Sequence, residues 1–463
     1  MKHKIIFKVL SIFFLSFVIS CSSDDDRVIE QEELNEEVVE EEIEEEVETE
    51  TPVETVYPLE GETGSVLLYD NSLSKEGYVL FNEATEDRVY LMEKDSAKIV
   101  HEWQLEFGLG NDVELMPNGQ LLASLGVDSP DFSFGGFGGI IQIINPDNSI
   151  DWEFILANEE HIIHHDVEML PNGNVLALVW DLRLPDELDA IGYLGEEEKV
   201  YTESIIEINP VTNEVVWKWD SWDHIIQDTD SSKPYFGIVA DNPEKININF
   251  IDVLREETGP DGDIMHANGL SYDSNKDLIY LSVNYFSEVW VIDHSTTAEE
   301  AIIDTGGNFG KGGDLVYRFG NPRAYNNESG ERLFYNNHFP NILKDGLPGA
   351  GNILVYANGN GDTKQSVVYE FSLPAELNLI PNENNEPETV WQYTRDNLYS
   401  ARVSGAIRLD NGNTLITSGS MGVIEVTNAK EVVWEFEGTG FYWRSYHYNL
   451  DSLAISFLNN DIP

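Results

Sequence analysis

The sequence predicts an all-β fold, a six-bladed β-propeller, and three repeated signals predict it. The first is an aromatic strand, met as "IVHEW" from Ile99, "IDWEF" from Ile150, "VVWKW" from Val215, "LVYRF" from Leu315, "TVWQY" from Thr389 and "VVWEF" from Val432. The second is an alternating strand ahead of each of these, at Arg88, Ile140, Ser204, Glu288, Ser366 and Val423. The third is a strand-turn-strand: "GNDVELMPNGQLLAS" from Gly110, "HHDVEMLPNGNVLAL" from His164, "HANGLSYDSNKDLIYL" from His266, "HFPNILKDGLPGAGNILVY" from His338 and "VSGAIRLDNGNTLITS" from Val403. Its sixth copy is divided between the chain ends. "GYVLF" from Gly77 supplies the outer half, and either "SVLLYD" from Ser65 or "YHYNLDSLAISF" from Tyr446 the inner half. A four-stranded unit repeated six times and closed by strands from opposite ends is a propeller; an open sandwich does not require the three counts to agree.

Three segments follow in chain order. Residues 1–20, "MKHKIIFKVLSIFFLSFVIS", place lysines before a short apolar run, the layout of a secretory signal peptide and too short for a membrane span. "VISC" then resembles a bacterial lipobox, so cleavage before Cys21 and lipidation of its thiol are expected. Residues 21–60 carry 18 acids and a single basic residue, Arg27, with too little apolar surface to offset the entropy of ordering, and read as a disordered tether. "SSDDD" after Cys21 resembles the export signal of surface lipoproteins in Bacteroidetes-type bacteria, which implies an outer-membrane lipoprotein at the cell surface or the periplasmic face. Residues 61–463 form the propeller.

A net charge of −59, most of it outside the tether, repels nucleic acid and anionic lipid. Neither is an expected partner, and membrane contact is through the lipid anchor alone. Cys21 is the one cysteine, so no internal disulfide can form and packing must hold the domain together. Long insertions at 181–199 and 223–263 are where lids and specificity loops sit on a rigid scaffold.

The hairpins differ in front of their turn. With Leu170-Pro171, Tyr272-Asp273, Lys344-Asp345 and Leu409-Asp410 aligned, His164, His266 and His338 share one position, which holds Gly110 and Val403 in the other copies. Innermost strands line the central channel of a propeller, so three imidazoles are expected to converge at one mouth. Strand alternation sends Asp166, Asn268 and Pro340 the same way as their histidines, and His165 away from His164. His447 is a further candidate for that mouth. Three imidazoles with an open position also suit zinc, but no shared carboxylate completes a ligand set, and no metal or cofactor is expected.

These residues carry a resemblance. The hairpins at His164 and His266, with "DLVYRFGNPRAY" and "NNHFPNILKDGLPGAGNILVYANG", resemble the bacterial arylsulfate sulfotransferase family over nearly all of 65–448. The resemblance implies a six-bladed periplasmic enzyme that moves a sulfuryl group from a phenolic sulfate ester to a phenol without a nucleotide donor. It implies His338 as the nucleophile that becomes sulfated. His266 and His164 would bind sulfate oxygens and exchange the phenolic proton, with Asn268, Asn284 and His165 around the substrate. One departure stands out: where the family clamps sulfate with arginine, this chain has Asn284. Arg318, Arg323, Arg402 or Arg444 would have to substitute from another direction. The alternative is a non-catalytic surface propeller that binds a glycan, phenolic or protein ligand.

Overall fold

A computed structural model describes residues 57–259 and 261–459; the expected signal peptide, Cys21 and the part of the expected tether before Tyr57 lie outside the described residues. Strands dominate, because each repeat alternates apolar and polar side chains between short turns rich in Asn, Asp and Gly. Among the described residues the strand order resolves into six four-stranded antiparallel units. From the inside outward, the second runs Leu109–Leu115, Leu121–Gly126, Gly139–Ile144 and Ile150–Ile155, and the third His161–Met169, Val175–Arg183, Val200–Asn209 and Glu214–Asp220. A single parallel pairing, His165 with Asn111, joins these two edge to edge at their inner strands. The fourth runs Ala267–Asp273, Leu278–Val283, Glu288–Asp293 and Tyr317–Phe319; the fifth Asn337–Ile342, Ile353–Ala357, Val367–Ser372 and Glu388–Tyr393.

The two chain ends close the ring in different places. The C-terminal strand Tyr442–Tyr448 pairs with Tyr78–Glu83 and becomes the innermost strand of the first blade. Gly64–Tyr69 instead pairs with Val432–Gly438 and adds a fifth strand outside the sixth blade, Gly405–Arg408 to Val432–Gly438. Of the two closing strands the sequence offered, the C-terminal one therefore lines the channel. Each inner strand packs on the next, and that of the sixth blade on Tyr442–Tyr448, which packs on that of the second.

The core lies between blades. Six apolar clusters each join one blade to its neighbour, for instance Trp217, Leu176 and Ile205 against Trp290, Ile279 and Leu270 between the third and fourth. Burying a side chain of this size stabilises by roughly 1.5–3 kcal/mol, so six such interfaces fix the channel as a rigid frame. The insertion at 223–263 is tied into this frame rather than lying over it. Its Ile225, Ile226, Val239, Ile246 and Ile248 are buried in the cluster between the third and fourth blades, and Ile225–Ile226 pairs with Ile246–Asn247 in parallel. Neighbouring Asp252, at the start of the helix Val253–Thr258, pairs with Arg332 at 2.6 Å.

Candidate functional site

The register of the inner strands decides which side chains meet. In four hairpins the turn is closed by the amide of the same residue: Met116 to Gln120, Leu170 to Asn174, Leu343 to Asn352 and Leu409 to Asn413. Leu343 thus matches Leu170, one residue earlier than the alignment on Lys344 had it. The ladder absorbs that residue in the bulge after His338: His338 pairs with Tyr356 as His164 pairs with Leu178, each three residues into its second strand, so His338 stays level with His164.

The inner strand of the third blade also bulges between His164 and Val167, with His165 at φ +52°. That bulge breaks the alternation assumed for His164 and His165. The His165 ring stands 4.9 Å from that of His266, edge to face. The His164 ring lies behind it, stacked at 3.8 Å on Trp180, with Nε2 2.9 Å from Glu203 Oε2 and Nδ1 2.9 Å from His165 Nδ1. Burial lowers the pKa of His164 to about 3 and that of His165 well below its usual value, the latter helped by His266, His164, His338 and Arg444. Both are neutral. Gly136 covers His165, its carbonyl accepting the His165 amide at 2.8 Å; a Cβ there would fall 2.2 Å from the ring, and φ is +81°.

His266 has a different surrounding. Its Nδ1 lies 2.5 Å from Asp263 Oδ2, and its amide donates to Asp263 Oδ1 at 2.9 Å. Burial works against its charged form, but Asp263, Glu203 and Asp261 outweigh it and raise the pKa above the ordinary histidine value. Its face stacks on Tyr285 at 4.9 Å. The side chain keeps 16% of its surface exposed, so it is the part of the histidine group that meets solvent.

His338 is buried and held on both nitrogens. Asn358 Nδ2 donates to the carbonyls of Ser400 and Val403, at 2.8 and 3.0 Å, which leaves Asn358 Oδ1 to accept from His338 Nδ1–H at 2.7 Å. His338 Nε2 accepts the Val403 amide at 3.1 Å. Burial lowers its pKa to about 3, only partly countered by Asn358.

Arg444 is the cation that reaches this group, as its effect on both His165 and His338 shows. Its Nη1 lies 3.0 Å from both Asp112 Oδ2 and Asp166 Oδ2, Nη2 donates to the Asn268 carbonyl at 3.2 Å, and the guanidinium stacks over Phe339 at 4.1 Å. Of the other arginines named from the sequence, Arg318 is buried on Glu288 and two carbonyls, while Arg323 and Arg402 are exposed. Asn268 Nδ2 donates to the Asn337 carbonyl at 2.9 Å, and its Oδ1 is buried without a partner. Asn284 is spent on its neighbours: its Nδ2 donates to Asn336 Oδ1 and to the Asn337 carbonyl.

Beyond Arg444 the channel holds a cavity of about 180 Å³ lined by Asp112, Glu114, Asp166, Glu168, Lys344 and Arg444 among others, with no histidine in its wall. Burial, opposed by Arg444, brings Asp112 up to about 8, and burial brings Glu168 up to about 8. His447 does not join the histidines. It lies against Gly77, under the influence of Lys94 and Glu425. Among the described residues, no cluster of three or more His, Cys, Asp or Glu has metal-holding geometry.

Sequence reasoning missed Asp263, Glu203 and Asn358, which stand outside the repeated hairpins or on other strands of the blade.

A family model described as "Arylsulfotransferase (ASST)" matches residues 116–440. No curated protein matches the chain. A solved protein of unknown function from Bacteroides caccae is similar at 14% identity, with TM-score 0.44 over 80% of this chain and 98% of that one. The β-propeller domain of Cps50 (Swd1) from Myceliophteria thermophila is similar at 9% identity, with TM-score 0.39 over 82% and 95%. A luciferin-regenerating enzyme is similar at 11% identity, with TM-score 0.38 over 81% and 97%.

Proposed function

This chain belongs to the arylsulfotransferase family, and we propose that it moves a sulfuryl group from a phenolic sulfate ester to a phenol through a sulfated His338. The observation that carries the reading is the pairing of a neutral, buried imidazole at His338 with a carboxylate-backed imidazole at His266. A nucleophile needs a free lone pair, and burial keeps His338 unprotonated at neutral pH. A proton carrier needs a pKa near the working pH, and Asp263 gives His266 that property.

Each step balances. The His338 lone pair forms an N–S bond as the S–O bond to the aryl group breaks, and the phenolate leaves with the bonding pair and takes a proton from His266. An acceptor phenol then gives its proton to His266 and attacks sulfur, returning the pair to nitrogen. Charge on the sulfuryl oxygens has to be met by donors in a water-poor site. Arg444 supplies the nearby positive charge, with its own charge shared by Asp112 and Asp166. His165 takes the place beside His266 that the sequence gave to His164, which supports the site from behind by holding His165.

The test is nitrophenolate release from 4-nitrophenyl sulfate by the soluble protein from residue 55 onward. Release should rise with added phenol, give the parallel-line kinetics of two-step transfer, and vanish in His338→Ala. Release that is unaffected by that substitution would remove His338 from the mechanism.

A second reading, a non-catalytic propeller that binds a glycan, phenolic or protein ligand, is favoured by Asn284. It stands at the clamp position and turns its amide inward. A folded protein that binds phenolic sulfates in calorimetry but never turns them over would establish it. The placement at an outer-membrane surface through lipidated Cys21 is also a proposal, supported by the sequence of residues 1–26. Retention of Cys21→Ser in membranes after labelled-fatty-acid uptake is lost would overturn it.

A further inference from the structure

The geometry points to Asn358 as the positioning residue that fixes which nitrogen of His338 attacks: it holds the proton on Nδ1 and so presents Nε2 as the nucleophile. The inference rests on the reading of His338 as the sulfuryl carrier, and it goes beyond that reading by assigning the atom and the group that selects it.

Four contacts determine the assignment. A side-chain amide is ambiguous by itself, since its oxygen and nitrogen can exchange places. Here both Asn358 Nδ2 protons are committed, to the Ser400 and Val403 carbonyls at 2.8 and 3.0 Å, so Oδ1 must face the ring. An oxygen that only accepts requires a proton on His338 Nδ1, 2.7 Å away. A neutral imidazole carries one N–H, so the lone pair is on Nε2. The Val403 amide donates to that nitrogen at 3.1 Å, which is the contact a lone pair accepts and an N–H would not. Asn358 is fully buried, and Ser366 donates to its carbonyl at 3.0 Å, so the amide is braced from the blade side as well.

The choice of asparagine over a carboxylate matters for the chemistry. When Nε2 gains the sulfuryl group and Nδ1 keeps its proton, the ring becomes cationic, and the Asn358 oxygen dipole meets that charge. An aspartate in its place would meet it more strongly but would also protonate the resting ring and remove the nucleophile. The charged and titratable groups that face His338 are His165, His266 and Arg444, all of which disfavour its protonation when charged. A neutral acceptor on Nδ1 therefore leaves the ring unprotonated over the whole working range. Val403, at φ +53°, and Ser404, at φ +86°, hold the capping amide in a backbone conformation that branched residues seldom adopt. The donor ester must displace this cap from the lone pair before the N–S bond can form.

Two measurements test the inference. In wild-type protein with ¹⁵N-labelled histidine, the two-bond ¹H–¹⁵N spectrum should show His338 protonated at Nδ1 and bare at Nε2 near neutral pH, its signals assigned by their loss in His338→Gln. In Asn358→Asp, the acid limb of kcat/KM for nitrophenolate release should move up by about 1–3 pH units, the shift an opposite charge at hydrogen-bond distance gives. A purely structural asparagine would lower activity without moving the limb. A wild-type spectrum with the proton on Nε2 overturns the inference, and so does an unmoved limb in a folded Asn358→Asp protein. If wild-type protein transfers no sulfuryl group, the sulfotransferase reading fails separately, and the spectrum alone decides the tautomer.

Discussion

His266 and His338 enter the channel from adjacent inner strands, yet their surroundings push them in opposite directions. His266 leans on a carboxylate, Asp263, and its pKa rises; His338 leans on an amide, Asn358, and its pKa falls to about 3. Both lose solvent, so burial alone cannot explain the divergence. The partner on Nδ1 decides it. Two like groups driven apart in this way can divide a reaction between them, one holding a lone pair and the other a proton. The comparison also shows where the blade ends and the site begins. Asp263 comes from the end of the long insertion, whereas Asn358 follows the second strand of the fifth blade.

The comparison breaks most visibly at the nucleophile. In His338→Gln no sulfuryl adduct should form on the protein, and turnover should fall by on the order of 10³-fold or more. In His266→Gln the adduct should still form, more slowly, because the lone pair on His338 remains. Intact-mass measurement after rapid mixing with 4-nitrophenyl sulfate separates the two. Equal adduct in both variants would end the division of roles.

Asp263→Asn should come next, with kcat/KM lower by about 10²–10⁴-fold, the usual worth of a positioned acid–base group. It also carries a pH signature in stability. The raised pKa of His266 means its pairing with Asp263 stabilises fully below the unfolded histidine value of about 6.5 and is lost as pH rises through the folded value. The gap in Tm between wild type and Asp263→Asn should therefore narrow as pH rises above the unfolded value of about 6.5. A gap that widens over that range would mean that the pair is not formed.

The blades were legible because each repeat states its own period: aromatic strands, alternating strands and the Leu-x-x-Gly turn recur at places that interlock. The site was legible only in part. That histidines crowd one end of the inner strands follows from the hairpin sequences. Which face each one takes depended on the bulges after His164 and His338, and the left-handed backbone at His165 is what brings its ring, rather than that of His164, beside His266. Asp263, Glu203 and Asn358 left no local signal, since they act across blades and insertions. The Glu203 carboxylate, for example, joins His164 of its own blade to the Ala267 amide of the next.

The remaining predictions set the channel against the blade surface. Arg444 stands between two buried carboxylates, and above about pH 8, where Asp112 is ionised, Arg444→Met would leave Asp112 and Asp166 facing each other without a counter-charge, at a cost of roughly 3–5 kcal/mol. Because Asp112 already sits at about 8, loss of Arg444 raises it further, and the variant should recover stability relative to wild type as pH falls and the pair takes up a proton. Denaturant melts at several pH values follow this directly, and a penalty independent of pH would place the effect in lost packing on Phe339 instead. On the outer strands of the first blade, Arg88 and Glu102 make an ion pair of similar length, 2.7 Å, with both side chains about a quarter exposed. Water and salt screen it, so Glu102→Gln should change stability by less than about 1 kcal/mol. If the two substitutions cost the same, burial in the channel is not what gives Arg444 its weight. If they differ as expected, the charge beside the histidines is held by a pair of carboxylates that cannot be spared.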